Sequence, residues 1–336
     1  MSSKRDVGPP TRHGEADLSK VRTHGIGTRP SKVRLCDSGR TFDPFGSFGE
    51  FFESLPGQLA VPEVRALAGA VVEARRAGRP VVLMFGGHVI KLGLAPYLID
   101  LVERGFVTHL ATNGAGAIHD LELAFHGETS EDVASRLDDG SFGFARETAQ
   151  WFAAALDRAS SEDTGLGQGV GRSMASAENR EHSLLHRAVR CGIPVTVHVA
   201  VGAEIVHQHP GVDGAQLGSA SLRDFRILAH TLGALDGGGV VLNVGSSVIL
   251  PEVFLKALTV ARNLGHPAHG FVTANLDMIR HYRPTENVVD RPTRTGGRGI
   301  QLTGHHEIML PLLYGAILWL DGGGAVSSLP RCPPAG

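Results

Sequence analysis

The stretch "THLATNGAGAIHDLELA", residues 108–124, decides how the rest of the chain is read. An apolar run ends in Thr112-Asn113-Gly114-Ala115-Gly116, and His119, Asp120 and Glu122 follow shortly after. A strand, a turn of small residues and a helix start is the repeating unit of an open α/β sheet, whose ligands bind beyond the strand ends. The polar residues admit two readings. Asp120 caps the helix and complements its dipole, with His119 a polar neighbour; or His119 faces a ligand as a proton-handling group, since imidazole titrates near neutrality.

The same alternation extends in both directions. "VPEVRALAGAVVEARRA" (61–77) has helical spacing, "GRPVVLMFGG" is a short apolar run closed by glycines, and "LAPYLIDLVERG" is a helix leading into the opening stretch. Beyond it, "REHSLLHRAVRCG", "ASLRDFRILAHTLGAL" and "PEVFLKALTVARNLG" read as helices, alternating with strands in "IPVTVHVAV", "GGVVLNVG" and "AHGFVTA". Strands without polar alternation, separated by helices, imply a doubly wound, mostly parallel sheet covered on both faces. We expect one α/β domain over residues 33–330, preceded by a loosely docked arm, residues 1–32, rich in charge, Gly and Pro. The segment 131–159 reads as helical, and the "GLGQGVGRS" after it as a loop between the two halves; it follows a polar helix, not a strand, so its glycines are no dinucleotide fingerprint.

Bulk composition narrows the partners. In 336 residues, 32 Lys+Arg against 34 Asp+Glu leave a net charge of -2, which gives no footing for a nucleic-acid or lipid surface and points to a small-molecule ligand. The N-terminal residues lack the apolar core of a secretion signal, and no apolar run reaches the roughly 18 residues of a membrane helix. Three widely spaced cysteines, with no CxxC pair, suggest neither a disulfide framework nor a thiolate zinc site, and a cytoplasmic protein is expected.

Four strand ends carry small residues beside hydroxyl or amide groups: "FGGHVIK" (85–91, with Gly87, His88 and Lys91), "TNGAG" (112–116), "VGSS" (244–247, with Gly245, Ser246 and Ser247) and "TANLD" (273–277, with Thr273 and Ala274). Together with Asp213 of "HPGVDGAQLG" they suggest a shared crevice. The histidine clusters "HQH" (207–209) and "GHHE" (304–307) have neither HExxH nor facial-triad spacing, so no metal is expected.

These residues carry a resemblance. "GLAPYLIDLVERGFVTHLATNGAGAIHDLE", "RCGIPVTVHVAVGAEIVHQHPGVDGAQLG", "GGVVLNVGSSVILPEVF", "GFVTA" and "EIMLPLLYGAI" are similar, in this order, to segments of deoxyhypusine synthases, over roughly residues 60–320. The resemblance implies a Rossmann-like fold, NAD as cofactor and a homotetramer. It also implies NAD contacts at His88, Lys91, Asn113, Gly114, Ala115, His119, Asp213, Ser246, Thr273, Ala274 and His305, with Asp120 beside them.

The chain departs from that family in the transfer half of the site. The family's imine-forming lysine precedes its last strand, whereas this chain has five lysines and none after Lys256; the region reads "DRPTRTGGRGIQLTGHHE". Arginine is no substitute, because its guanidinium stays protonated. We therefore expect an NAD-dependent enzyme that dehydrogenates or deaminates a small amine or amino acid without a lysine imine, its protons moved by His119, Asp213 or Glu307. An NAD-using ornithine deaminase or cyclodeaminase domain is the nearest concrete analogue. The arginines of "RPTRTGGR" are suited to clamp a carboxylate, which favours an amino acid. Two alternatives stand beside this one: a true deoxyhypusine or homospermidine synthase with Lys91 forming the imine, and a non-catalytic nucleotide-binding protein.

Overall fold

The structure is a computed structural model and describes residues 12–324. Residues 1–11 of the expected arm and 325–330 of the expected domain lie outside the described residues. Six strands, β1 (Val81–Phe85), β2 (His109–Asn113), β3 (Val195–His198), β4 (Val240–Val244), β5 (Val272–Asp277) and β6 (Arg298–Thr303), form one sheet in the order β3-β2-β1-β4-β5-β6. Every pairing is parallel.

The apolar runs lack alternation because both faces are covered. Along β1, Val81, Leu83 and Phe85 enter one core with helices Ala60–Arg76, Ala95–Glu103 and His306–Asp321, while Val82 and Met84 enter the other with Gly214–Leu232 and Ile249–Asn263. Fully buried side chains such as Phe85, Phe152 and Phe254 each stabilise the fold by roughly 1.5–3 kcal/mol. Side-chain amides reinforce the register near the strand ends, Asn243 Nδ2 donating to Asn275 Oδ1 at 2.7 Å and Asn275 Nδ2 to Gln301 Oε1 at 3.3 Å.

Several local expectations are corrected. "GLGQGVGRS" is not a loop: Leu166–Ser173 is a helix packed among its neighbours. A Cβ on Gly167 would stand 2.1 Å from Val195 O, and one on Gly169 2.5 Å from Ala155 O, so these glycines bring backbones together. The helical segment before it is interrupted, with a short helix at Val133–Leu137 and the main one at Arg146–Ser161. Strand β5 runs on to Asp277, and β6 is an edge strand that the apolar patterning did not reveal. Cys36 is disulfide-bonded, which the cysteine spacing did not suggest and which removes the cysteine argument for a reducing compartment. Among the described residues no helix is long and apolar enough to cross a membrane.

Candidate functional site

The sheet reverses direction of growth between β1 and β4, and the loops leaving those two strands meet. Gly86 N–H donates to Val244 O at 3.0 Å, and a Cβ on Gly86 would fall 2.1 Å from Gly245 O. Gly245 itself has φ +63°, a conformation that side chains disfavour. Glycine is thus required on both sides of the switch point, where open α/β sheets bind ligands.

His306 fills the far wall of this crevice. It is 2% exposed, its ring centroid lies 6.0 Å from that of exposed His88, and its Nε2 lies 3.9 Å from Asp277 Oδ1. Neither ring nitrogen has a hydrogen-bond partner, and such buried orphans are rare because each lost bond is destabilising. Burial, then the neighbouring His306 and Lys91, hold the His88 imidazole below its usual range. Glu307 is exposed at the rim, within electrostatic reach of His88.

His305, expected as a contact, is instead the exposed residue preceding the helix, its Nδ1 3.7 Å from Glu307. Of the two histidines of "GHHE", His306 is the buried one. It shares the buried helix face with Leu310, Leu313 and Ile317, and extending that spacing backward would have found it.

On the other side of the short helix Gly87–Lys91 lies a cavity of about 710 Å³, lined among others by Lys91, His119, Glu122, Trp151 and Glu204. His119 packs on Gly87, where a Cβ would come within 3.0 Å of its Cδ2. Its Nδ1 lies 2.7 Å from Thr129 Oγ1, and that hydroxyl donates to Glu122 Oε2 at 2.5 Å; Thr148 donates to Glu122 Oε1 at 2.8 Å. With the Thr129 proton directed to Glu122, Nδ1 of His119 is the donor to Thr129, which leaves Nε2 of the neutral ring as an acceptor. Burial alone would push Glu122 up, but the neighbouring His119 and hydrogen bonds from Thr129 and Thr148 hold its carboxyl below its ordinary value.

The opening turn is filled by the chain itself. Thr112 Oγ1 is buried and donates to Phe85 O at 2.8 Å, and Asn113 Oδ1 accepts from Gly116 N at 2.9 Å, so Asn113 and not Asp120 caps the helix Gly114–His126. Glu204 occupies the place beside Gly114: a Cβ there would lie 2.4 Å from Glu204 Cδ, and the Gly114 amide donates to this carboxyl. Of the turn, only Ala115 reaches the cavity. Asp120 is 1% exposed and accepts from Ser183 Oγ, Leu184 N and Leu185 N, capping the helix Leu184–Arg190.

Glu204 carries no mark in the sequence, whereas its neighbour His207 belongs to the "HQH" cluster. Glu204 is 9% exposed, burial pushes its carboxyl up, and His207 Nε2 stands 3.2 Å from its Oε2. The signal is spatial: Glu204 is ninety positions from Gly114 in the chain, and no periodicity marks its loop.

Other expected contacts lie elsewhere. Thr273 and Ala274 are wholly buried inside β5, paired with Val241 and Leu242; the strand's carboxyl end is Asp277. Ser246 is 4% exposed, its Oγ accepting from Leu250 N, while Ser247 stays partly open beside it. Asp213 is exposed, caps the helix Gly214–Leu232 through Ala215 N and Gln216 N, and is absent from the cavity lining. Of the arginines expected to clamp a carboxylate, Arg298 opens β6 at the amino edge and pairs with Glu63 at 2.9 Å, and Arg291 pairs with Glu286 at 3.3 Å. No group of three or more metal-ligating side chains is found among the described residues.

No family model matches the chain, and no curated protein matches it. Solved structures do. A protein from Entamoeba histolytica provisionally named a deoxyhypusine synthase is 12% identical with a TM-score of 0.51, covering 84% of this chain and 97% of that one. AgrE in ternary complex with ornithine and NAD+ is 16% identical with a TM-score of 0.50 over 77% of this chain, and the match spans only 33% of AgrE. A protein from Methanococcus maripaludis S2 provisionally named LOR/SDH is 14% identical with a TM-score of 0.47, covering 83% and 72% of the two chains. At such identities the likeness is one of architecture, and the chain has the doubly wound, parallel α/β fold of deoxyhypusine synthase-like proteins.

Proposed function

We propose that this chain is an NAD-dependent enzyme of the deoxyhypusine synthase superfamily that dehydrogenates a small cationic amine. The observation that carries the proposal is the orphaned imidazole of His306 at a glycine-lined switch point, next to a cavity holding a second, carboxylate-oriented imidazole. The NAD+ and ornithine bound by AgrE support it at the level of a shared fold.

The residues present fit a dinucleotide at the crevice. The abutting loops of Gly86 and Gly245 admit close backbone approach, and the unpartnered nitrogens of His306 need a hydrogen-bonding ligand. Gly87, His88, Gly245 and Ser247 would hold it, with His306 and Asp277 beside them. Bound NAD+ supplies a two-electron hydride acceptor.

The chain's own groups bind and deprotonate the amine. Five glutamates, Glu122, Glu128, Glu131, Glu147 and Glu204, line the cavity against the single ammonium of Lys91, which selects a cation. Trp151, stacked on Phe125 at 4.8 Å, adds an aromatic wall. His119 Nε2 faces no partner and takes the amine proton, and the Glu122–Thr129 chain stabilises the imidazolium that forms. Volumes of roughly 300–1,000 Å³ are usual for small-molecule sites, and this cavity is within that range.

Lys91 supports a second reading, imine formation with the substrate, because it lines the same cavity. The test is the full chain with NAD+ and putrescine, spermidine, ornithine or lysine, followed at 340 nm, with the melting temperature recorded beside it. NAD+ should raise the melting temperature and one amine should yield absorbance that His119→Ala lowers about 10²–10⁴-fold. No melting shift with NAD+ and no absorbance with any amine overturns the proposal. Borohydride trapping of an amine on Lys91 would favour the second reading.

A further inference from the structure

We propose that the chain holds a separate site for a small polyanion, a ligand with two or more phosphate-like charges, in a concavity walled by the helices Arg146–Ser161, Leu166–Ser173 and Leu184–Arg190. Its volume is about 690 Å³, and Arg158, Arg172, Arg180, Arg190, His186 and Gln168 supply its polar lining. No carboxylate lines it, and none of its residues lines the amine cavity.

The glycine-rich segment builds this concavity. A Cβ on Gly171 would stand 2.8 Å from Leu185 O and 2.5 Å from Val189 Cγ2, so only glycine lets the two helices close behind the arginines. His186 is 5% exposed and its Nδ1–H donates to Gly171 O at 2.8 Å, which fixes the ring.

Charge is left over. Glu162 lies 3.3 Å from Arg158 and 3.1 Å from Arg172; Glu181 lies 3.3 Å from Arg190 and 3.6 Å from Arg180. Four guanidiniums thus share two carboxylates, a surplus of two positive charges, and Glu181 is shared further with Arg187. The glutamates hold the guanidiniums in place without neutralising them. Guanidinium forks match phosphate oxygens in pairs, whereas a single negative charge would offset only half the surplus. The four side chains remain 44–61% exposed, so binding weakens with salt.

The probe is tripolyphosphate, titrated calorimetrically into the full chain at low ionic strength, with sodium chloride of matched ionic strength as reference. Saturable binding of one equivalent is expected, and Arg172→Gln and Arg190→Gln should each weaken it about tenfold, the loss of one charge-assisted contact. Arg76→Gln, on another helix, should leave it unchanged. Should Arg172→Gln fail to fold, Arg190→Gln carries the test, since that side chain is 61% exposed. Heat no greater than with chloride, an affinity in both variants unchanged from the parent chain, or displacement of tripolyphosphate by NAD+ would each overturn the site.

Discussion

Between pH 7 and pH 5, a His109→Gln, His198→Gln double variant is expected to lose about 4 kcal/mol less stability than the parent chain. His109 is fully buried at the start of β2, with Nδ1 2.8 Å from Thr231 Oγ1 and Nε2 3.1 Å from Thr196 Oγ1. His198, 3% exposed at the end of β3, places Nε2 3.0 Å from the same Thr196 hydroxyl. Burial, and for His109 also the neighbouring His198, push these imidazoles down to about 3 and about 4. Both are neutral when folded, whereas the unfolded chain protonates them near 6.5. Their stabilisation is therefore complete above 6.5 and is lost as pH falls toward 4, at about 1.4 kcal/mol per pH unit for each ring. Denaturant unfolding at several pH values measures the slopes. Parallel slopes for parent and variant would show that neither ring is held neutral; if the double variant does not fold, each single variant should remove half the difference.

Such buried imidazoles also show what was legible in the sequence. Strands β1 to β5 were readable because their runs are mostly apolar with no polar alternation, and that pattern has one cause, a sheet covered on both faces. The glycines of 165–171 were misread because their role depends on contacts with Val195, Ala155 and Leu185 that no local pattern encodes. The amphipathic edge strand β6 was passed over since only Ile300 and Leu302 are buried in it. His119, which lines the cavity, was legible as a polar residue at a helix start after a glycine turn. In the turn itself, Gly114 and Gly116 make room for Glu204 and Thr112, side chains of the same chain, which no local pattern announces. His306 and Glu204 depend on helix phase and on long-range packing, and one histidine of a pair looks like the other until the helix beginning at 306 is placed.

Asp224→Ala is expected to lower stability by about 3 kcal/mol at pH 6, while Asp224→Asn stays close to the parent. Asp224 is wholly buried in the helix Gly214–Leu232, and its Oδ2 accepts from Gly167 N and Val197 N, each at 2.8 Å. It thereby joins the start of the helix Leu166–Ser173 to β3, and removing the side chain strands these buried amides. An asparagine carbonyl still accepts from both. Burial outweighs the amide contacts and pushes the carboxyl up to about 8, so it folds protonated at pH 6. An acid raised in the folded state stabilises fully below its unfolded value near 3.9, and that contribution is lost as pH rises through 8. Between pH 6 and pH 8 the parent should therefore lose about 2 kcal/mol that Asp224→Asn does not lose. This runs opposite to the histidine effect, so the two variants move the pH profile in opposite directions. Unfolding titrations at pH 6 and 8 decide the matter: equal losses in parent and Asp224→Asn would mean that the carboxyl is already ionised at pH 6, and a cost under about 1 kcal/mol for Asp224→Ala would mean that the stranded amides find other partners.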